Sequence, residues 1–179
     1  MKAVMCKEYG MPDTLVIEEL PSLRAGKGQV VVTVKACGVN FPDTLIIQGK
    51  YQFRPPMPFS PGSEFAGIVR EVGEGVTHVK GGDRVFAVTT YGGFAQETLV
   101  DAARLIPMPP GVDFPVAASF LLTYATSYHA LKDRAQLQPG ETLLVLGAAG
   151  GVGLAAIEIG KQLGARVLAA ASSDEKLET

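Results

Sequence analysis

The clearest pattern of apolar and polar positions lies near the end of the chain. A short unbroken apolar run covers residues 143–146, which predicts a strand buried on both faces. Glycines follow this run at three-residue spacing, at Gly147, Gly150 and Gly153. The apolar stretch 154–163 predicts a helix, and a second apolar strand leads to Ala171. The pattern therefore predicts a β-α-β unit with a glycine loop between its first strand and its helix.

This glycine loop has the features of a dinucleotide-binding site. A tight turn favours residues without a Cβ, and so does close approach of the backbone to a pyrophosphate. The N-terminal amides and the dipole of the following helix would face the phosphates. A glycine-rich turn that serves only the packing of strand against helix is the alternative. The predicted coenzyme-binding residues of the loop are Gly147, Ala149, Gly150, Gly151, Val152 and Gly153.

A different pattern covers residues 1 to about 110, where short segments rich in Val and Thr are separated by Gly, Pro and Asp. Residues 30–37 alternate with period two, which predicts a half-buried strand. Similar runs predict further strands at residues 15–20, 66–72, 84–88 and 95–100. Many short strands with frequent turns indicate a small irregular β-barrel or sandwich.

The pattern changes again after Asp113. Residues 115–137 contain no glycine, and no proline after Pro115, so this stretch predicts a helix that ends before Pro139 and Gly140. A domain boundary is therefore expected near residues 112–122. We predict an α/β plus β fold class, with an irregular β-domain over residues 1–115. Residues 116–179 would form a linking helix and the first, incomplete part of an α/β domain.

The composition narrows the range of functions. A net charge of −2 and a pI of about 5.7 do not indicate binding to nucleic acid or to an anionic membrane. No apolar run reaches the roughly 18 residues that span a bilayer. Because residues 1–10 lack the features of a leader, we expect a cytoplasmic protein, or a mitochondrial one if a leader was removed. Cys6 and Cys37 predict two reduced thiols.

Four segments together resemble the medium-chain dehydrogenase/reductase superfamily, and more narrowly its zinc-free quinone oxidoreductase branch. They are ACGVNFPD (36–43), PFSPGSEFAGIVREVGEGV (58–76), LTYATSYHAL (122–131) and GAAGGVG (147–153). The resemblance implies a chaperonin-10-like catalytic domain packed on a Rossmann domain, with the active site in the cleft between them. It also implies a homo-oligomer, such as a dimer, for the full-length protein.

Zinc-dependent members of the superfamily differ at two positions, with a Cys where this chain has Asn40 and a His where it has Ser63. They also carry a four-Cys lobe that this sequence lacks. Independently, zinc requires three or four Cys, His or carboxylate ligands at workable spacing. The histidines, His78 in a turn-rich segment and His129 in a predicted helix, are not near a Cys. We therefore expect no metal.

The expected lack of zinc bears on the substrate. Reduction of a simple ketone or aldehyde develops alkoxide charge, which calls for a Lewis acid or a placed proton donor. A quinone or an α,β-unsaturated carbonyl delocalises the incoming electrons, so hydrogen bonds can suffice while the nicotinamide does the hard step. The prediction is an oxidoreductase for quinones or enones, with a small molecule as partner and neither nucleic acid nor membrane.

The resemblance also implies which side chains line the nicotinamide and the substrate. Asn40 and Asp43 match the family segment GVN-x-x-D. Asn40 could hydrogen-bond a carboxamide or a carbonyl. Asp43 could instead be the N-cap of a helical turn over residues 45–48. The phenol of Tyr51 could donate to an oxyanion, or the ring could pack on Pro55 and Pro56.

Other matches to the family are less definite. Thr126 matches a threonine near the nicotinamide, or is simply a polar residue in a helix. Tyr124 and Tyr128 are interpreted as packing residues. Glu64 matches the family's G-x-E, although a structural role is at least equally consistent with its surroundings.

The end of the second strand bears on the choice of coenzyme. NAD sites place Asp or Glu there to hold the ribose 2′-hydroxyl, whereas residues 169–173 are neutral and rich in hydroxyls. Lys176 could pair with a 2′-phosphate. Against this, Asp174 lies close by, and Ser172 with Glu175 fits a capping box. We expect NADPH rather than NADH, bound partly by Ser172, Ser173 and Lys176.

A Rossmann sheet normally has six strands, and this sequence encodes two. We therefore expect an N-terminal fragment that is itself inactive, with an unpaired sheet edge that is a hazard for association. The oxidoreductase activity is predicted for the full-length parent. A catalytically silent module, which associates with another chain or binds ligand weakly, is the alternative for the fragment.

Overall fold

A computed structural model describes residues 1–178. The chain divides into two compact units, Met1–Ser119 and a second unit that begins at Phe120. The boundary predicted from the sequence, after residue 115, is four residues earlier. The difference arises because the short helix at Phe114–Ala117 packs against two strands of the first unit.

The first unit is built on antiparallel strands. Its strands are β1 (Lys2–Met5), β2 (Val16–Glu19), β3 (Gln29–Gly38), β4 (Glu64–Val72), β5 (Arg84–Val88), β6 (Glu97–Asp101) and β7 (Ile106–Pro107). Strands β1 and β2 pair with each other, and the other five form a sheet in the order β6-β3-β4-β5-β7. Its helices are α1 (Phe41–Ile47) and α2 (Phe114–Ala117). The predicted short strands are thus present, with bounds that differ by at most two residues.

The core of the first unit lies along the middle of this sheet. Its buried side chains are Val30, Val32, Phe65, Val69, Val79, Val85, Ala87, Val100, Ala102 and Leu105. The alternation predicted for β3 is only partly observed, since Val31 is buried as well. A register shift against β4 between Val31 and Val32 interrupts the alternation of faces at this point.

The second unit begins with a helical segment and continues as a β-α-β unit. The segment consists of π-helix at Leu121–Ala125, α3 at Thr126–Tyr128 and π-helix at His129–Arg134. The β-α-β unit comprises β8 (Thr142–Leu146), α4 (Gly151–Gln162) and β9 (Arg166–Ala170), and a 3₁₀ turn covers Glu175–Leu177. Strands β8 and β9 are parallel. The helix predicted at residues 115–137 is therefore observed in pieces, with a turn after α2.

The prediction that β8 is buried on both faces is wrong. Helix α4 packs on β8 and β9. Gly160 of this helix lies against Leu143, since a Cβ added at Gly160 would lie only 2.7 Å from a Leu143 methyl carbon. Because side chains alternate along a strand, α4 covers the face of Leu143 and Val145 only. Leu144 is 57% exposed and Leu146 is 75% exposed. Across residues 1–178, no helix has both the length and the apolar character needed to cross a membrane.

Candidate active site and coenzyme site

Asn40 and Asp43 lie at the junction between β3 and α1. Asn40 has an extended backbone and is the N-cap of α1, and Asp43 is the third residue of that helix. The Asn40 backbone N–H donates to Asp43 Oδ2 at 2.8 Å, and the Asp43 N–H donates to the Asn40 carbonyl oxygen at 3.0 Å. The suggestion that Asp43 caps a turn over residues 45–48 is therefore wrong. Asp43 instead reciprocates the cap that Asn40 forms.

Glu64 completes this group of polar residues. It begins β4 opposite Gly38 of β3, its exposed fraction is 0%, and its Oε2 accepts a hydrogen bond from Asn40 Nδ2 at 3.2 Å. The backbone of Gly38 passes close to that of Ala118, so that a Cβ added at Gly38 would lie only 2.4 Å from the carbonyl oxygen of Ala118. From the sequence alone the role of Glu64 was open. The available signal was a carboxylate at the start of an otherwise apolar run.

Burial shifts the pKa values of two side chains in this region, Asp43 and Cys37. Burial raises the pKa of Asp43, while hydrogen bonding, chiefly from the Asn40 backbone N–H, lowers it. Asp43 Oδ1 and Ser63 Oγ are buried without a hydrogen-bond partner in the described part of the chain. Burial also raises the pKa of the Cys37 thiol to about 12, and the charge of Asp43 adds to this effect. A thiol that stays protonated is a poor nucleophile, so the group offers hydrogen bonding rather than covalent catalysis.

The two histidines have separate surroundings. His78 Nε2 lies 2.8 Å from the carbonyl oxygen of Ala102, and His129 Nδ1 lies 2.9 Å from Asp133 Oδ2. Within residues 1–178, His, Cys, Asp and Glu side chains do not gather into a group of three or more that could hold a metal ion. That the protein works without zinc stays a prediction.

Tyr51 is half-buried, and it follows α1 in the chain. Its ring packs against a buried cluster made of Cys6, Ile46, Ile47 and Phe59. The structure thus associates Tyr51 with this cluster. Its role as a donor to an oxyanion stays a prediction.

Thr126 and its neighbours belong to the second unit. Thr126 is exposed and begins α3. Tyr124 donates from its hydroxyl to Glu158 Oε2 at 2.5 Å, and Tyr128 is exposed. Ser127 was not singled out from the sequence. It is buried, and its hydroxyl donates to the carbonyl oxygen of Val152 at 2.9 Å, which joins the helical segment to the first turn of α4.

A cavity of about 630 Å³ lies at the carboxyl ends of β8 and β9. Its lining comprises Leu146, Gly147, Ala149, Gly150, Ala170, Ala171, Ser172 and Lys176. Lys176 Nζ donates to Ser172 Oγ at 3.1 Å. The cavity brings together five of the predicted coenzyme residues, whereas Gly151, Val152, Gly153 and Ser173 lie outside its lining.

The glycines of the loop have different roles. Gly147 has φ of +66°, which favours glycine, whereas Gly150 has an ordinary extended backbone. A Cβ at Gly150 would lie 3.4 Å from its nearest neighbour atom, the Gly147 carbonyl oxygen, but a Cβ at Gly153 would lie 2.5 Å from the same oxygen. Packing therefore explains Gly153 and not Gly150. At Gly150 the missing side chain leaves the cavity open.

The capping box suggested for Ser172 and Glu175 is wrong. The 3₁₀ turn at Glu175–Leu177 has Asp174 in the N-cap position, and Asp174 makes no capping hydrogen bond through its side chain. Ser172 is therefore available as the partner of Lys176.

Comparisons with known proteins bear on both units. Residues 26–110 match the model of the alcohol dehydrogenase GroES-like domain. The chain is 43% identical over 176 residues to quinone oxidoreductase-like protein 2 of Rattus norvegicus, covering 98% of this chain and 50% of the relative. It therefore spans about half the length of the curated relatives it matches.

Solved structures give the same picture. Quinone oxidoreductase of Escherichia coli, solved in complex with NADPH, superposes with a TM-score of 0.94 at 33% identity, over 99% of this chain and 55% of that one. Quinone oxidoreductase of Thermus thermophilus, also solved in its complex with NADPH, superposes with a TM-score of 0.86 at 40% identity. That match covers 98% of this chain and 55% of the other.

Proposed function

This chain belongs to the quinone oxidoreductase-like branch of the medium-chain dehydrogenase/reductase superfamily, and we propose an activity for the whole protein on that basis. In this proposal the protein transfers hydride from NADPH to a quinone or an α,β-unsaturated carbonyl, without zinc. The observation that carries this proposal is the cavity at the carboxyl ends of β8 and β9, bounded by Gly147, Gly150, Ser172 and Lys176. In open α/β sheets, ligands bind outside the carboxyl ends of the strands.

The second unit is, in this proposal, the beginning of a Rossmann coenzyme domain. Two parallel strands, the glycine loop and a helix that starts at Gly151 occur in the required order. The open backbone at Gly150 supports close approach of a pyrophosphate, and the first turn of α4 would face it with unpaired amides.

Preference for NADPH is supported by the charge around the cavity. Lys176 is the cation of its lining, and Ala170, Ala171 and Ser172 are neutral. A 2′-phosphate would find the Lys176 ammonium and the Ser172 hydroxyl together, since the two already lie 3.1 Å apart.

In the first unit we propose that Asn40 contacts the nicotinamide or the acceptor, with Asp43 fixing its backbone. The nicotinamide supplies the hydride when it is bound. A quinone or enone spreads the added charge over the conjugated system, so in this proposal Asn40 orients the nicotinamide or the acceptor and does not itself neutralise the charge.

The test is steady-state turnover by the whole protein, with 1,4-benzoquinone, an α,β-unsaturated ketone and a saturated ketone as alternative acceptors. We expect NADPH oxidation with the first or second acceptor, unchanged after dialysis against a metal chelator. Turnover of the saturated ketone alone, or activity that requires added zinc, would overturn the proposal.

Lys176→Glu tests the coenzyme preference. We expect the KM for NADPH to rise by a factor that corresponds to about 1–3 kcal/mol, the value of a charge-assisted hydrogen bond, with a smaller change for NADH. Lys161→Glu, in the last turn of α4, is the matched control and should leave the ratio of the two KM values unchanged. Equal effects of Lys176→Glu on both coenzymes would remove this lysine from the 2′-phosphate site.

A further inference from the structure

Glu64 is completely buried although its side chain can carry a charge. A buried carboxylate is unfavourable unless it is hydrogen-bonded or paired. One hydrogen bond to Glu64 comes from the side-chain amide of Asn40, which lies 24 residues earlier in the chain. The pairing of β3 with β4 sets this contact, because it places Glu64 directly opposite Gly38, two residues before Asn40.

The backbone of Asn40 is held separately from its side chain. Its N–H and its carbonyl oxygen both bond to Asp43, at 2.8 Å and 3.0 Å. The position of the Asn40 Cα is therefore set by α1, whereas the capping box directs the Asn40 side chain toward the Asp43 N–H without a side-chain hydrogen bond there. A carboxylate is only an acceptor when it is ionised. Because Asn40 Nδ2 donates to Glu64 Oε2, the carboxamide turns its NH₂ group toward Glu64 and its Oδ1 away from it.

We propose that Glu64 is a positioning residue for Asn40, and that it fixes the carboxamide so that Oδ1 is presented to a bound ligand as a hydrogen-bond acceptor. The inference rests on the proposed function, in which Asn40 contacts the coenzyme or the acceptor. Oδ1 would accept a hydrogen bond from an N–H or O–H group of the ligand. The carboxamide of the nicotinamide and the hydroxyl of a reduced acceptor both have this chemistry.

A double-mutant cycle in the whole protein tests whether Glu64 affects turnover through Asn40. Glu64→Gln keeps the shape, but a glutamine amide can present either its oxygen or its NH₂ group, so it no longer imposes one orientation on Asn40. Asn40→Ser removes the carboxamide and keeps a good N-cap. We expect Glu64→Gln to lower kcat/KM about tenfold with Asn40 present, the scale of one lost hydrogen bond. In the Asn40→Ser background we expect a loss of less than about twofold.

The KM values identify the source of the donor. A rise in the KM for NADPH assigns the contact to the coenzyme, and a rise in the KM for the acceptor assigns it to the substrate. An equal loss of kcat/KM in both backgrounds would show that Glu64 acts through the fold and not through Asn40. Glu71→Gln, on the same strand β4 but in contact with Arg24 at the surface, is the matched control and should leave kcat/KM unchanged.

A second measurement needs no activity. Asn40 is the only asparagine in the sequence, so asparagine-selective ¹⁵N labelling gives a single carboxamide signal in the NMR spectrum. A charge-assisted hydrogen bond deshields the proton that makes it. We expect the two Nδ2 proton resonances to be well separated in the unmodified chain, closer together in Glu64→Gln, and unaffected by Glu71→Gln. A carboxamide signal that does not respond to Glu64→Gln would overturn the proposal.

The two measurements separate this inference from the proposed function. If the NMR signal responds as expected but the whole protein reduces neither quinones nor enones, Glu64 orients Asn40 and the assigned reaction is wrong. If the protein turns over and the NMR signal does not respond, the reaction stands and the role of Glu64 is wrong.

Discussion

Strand β3 of the first unit lies between β4 and β6, whereas β8 of the second unit pairs with β9 alone among the described residues. Both strands contain an apolar run, residues 30–32 in β3 and residues 143–146 in β8. Val30, Val31 and Val32 are nevertheless fully buried, while Leu144 and Leu146 are exposed to solvent. An apolar run thus predicts that a strand forms, whereas the elements packed around the strand determine which of its side chains are buried.

Hydrogen exchange should show the largest difference between the two units. Amide protection follows local opening, which is easiest where few apolar contacts are buried. We expect the amides of residues 143–146 to exchange at least about a hundredfold faster than those of residues 30–34. NMR or mass spectrometry of the 179-residue chain, after its monomeric state has been verified, measures this ratio directly. Equal and strong protection of both strands would remove the contrast.

Two core substitutions should sharpen the same comparison. Phe65→Ala removes a fully buried ring from the centre of the first unit and should lower the free energy of unfolding by about 3–5 kcal/mol. Leu146→Ala, at a side chain that is 75% exposed, should change it by less than about 0.5 kcal/mol. Urea denaturation of the two variants provides both values. A large effect of Leu146→Ala would mean that this face is covered in solution.

Local patterns predicted much of this structure. The runs of Val and Thr indicated the strands of the first unit. Gly147 and Gly150 were predicted from the glycine spacing, and Ser172 from the neutral end of the second strand. The structure places all three in the lining of one cavity, and their role in coenzyme binding stays a prediction. Such features depend on residues that are close together in the chain. Caps are harder, because Asn40 and Asp43 are both good capping residues and only the backbone decides between them.

Features that depend on distant contacts were not predicted. Glu64 meets Asn40 only through the register of β3 against β4, and Ser127 meets Val152 only through the packing of two helices. The exposure of Leu144 has the same origin, because the apolar run carries no information about what covers each face.

The glycine loop allows a third contrast, within the second unit. A Cβ at Gly153 would lie 2.5 Å from the Gly147 carbonyl oxygen, so Gly153→Ala should destabilise the unit by about 1–3 kcal/mol. Gly150 has φ of −83° and ψ of 160°, a conformation that valine adopts readily. Gly150→Val should therefore leave the fold intact and abolish NADPH binding by filling the space for the pyrophosphate. Unchanged NADPH affinity of Gly150→Val in a fluorescence titration of the whole protein would contradict this.

The smallest expected effect concerns the electrostatic cost of Asp43 in the otherwise well-packed first unit. Burial raises its pKa above the ordinary value of 3.8, so the native state binds this proton more tightly than the unfolded chain does. The cost of the ionised form is therefore absent in strong acid, appears as the pH rises from 3.8 through the raised pKa, and is constant above it.

Asp43→Asn should remove this cost, since asparagine keeps an oxygen that can accept from the Asn40 N–H. The stability of the variant relative to the unmodified chain should increase with pH across that window and then stay level. Urea midpoints at a series of pH values, followed through the methyl NMR signals of Val30 and Val32, measure the difference. The lowered pKa values of Glu71 and Asp83 act in the opposite direction, but they are common to both proteins and cancel. A relative stability that falls as the pH rises would show that the charged form of Asp43 is favoured by the fold.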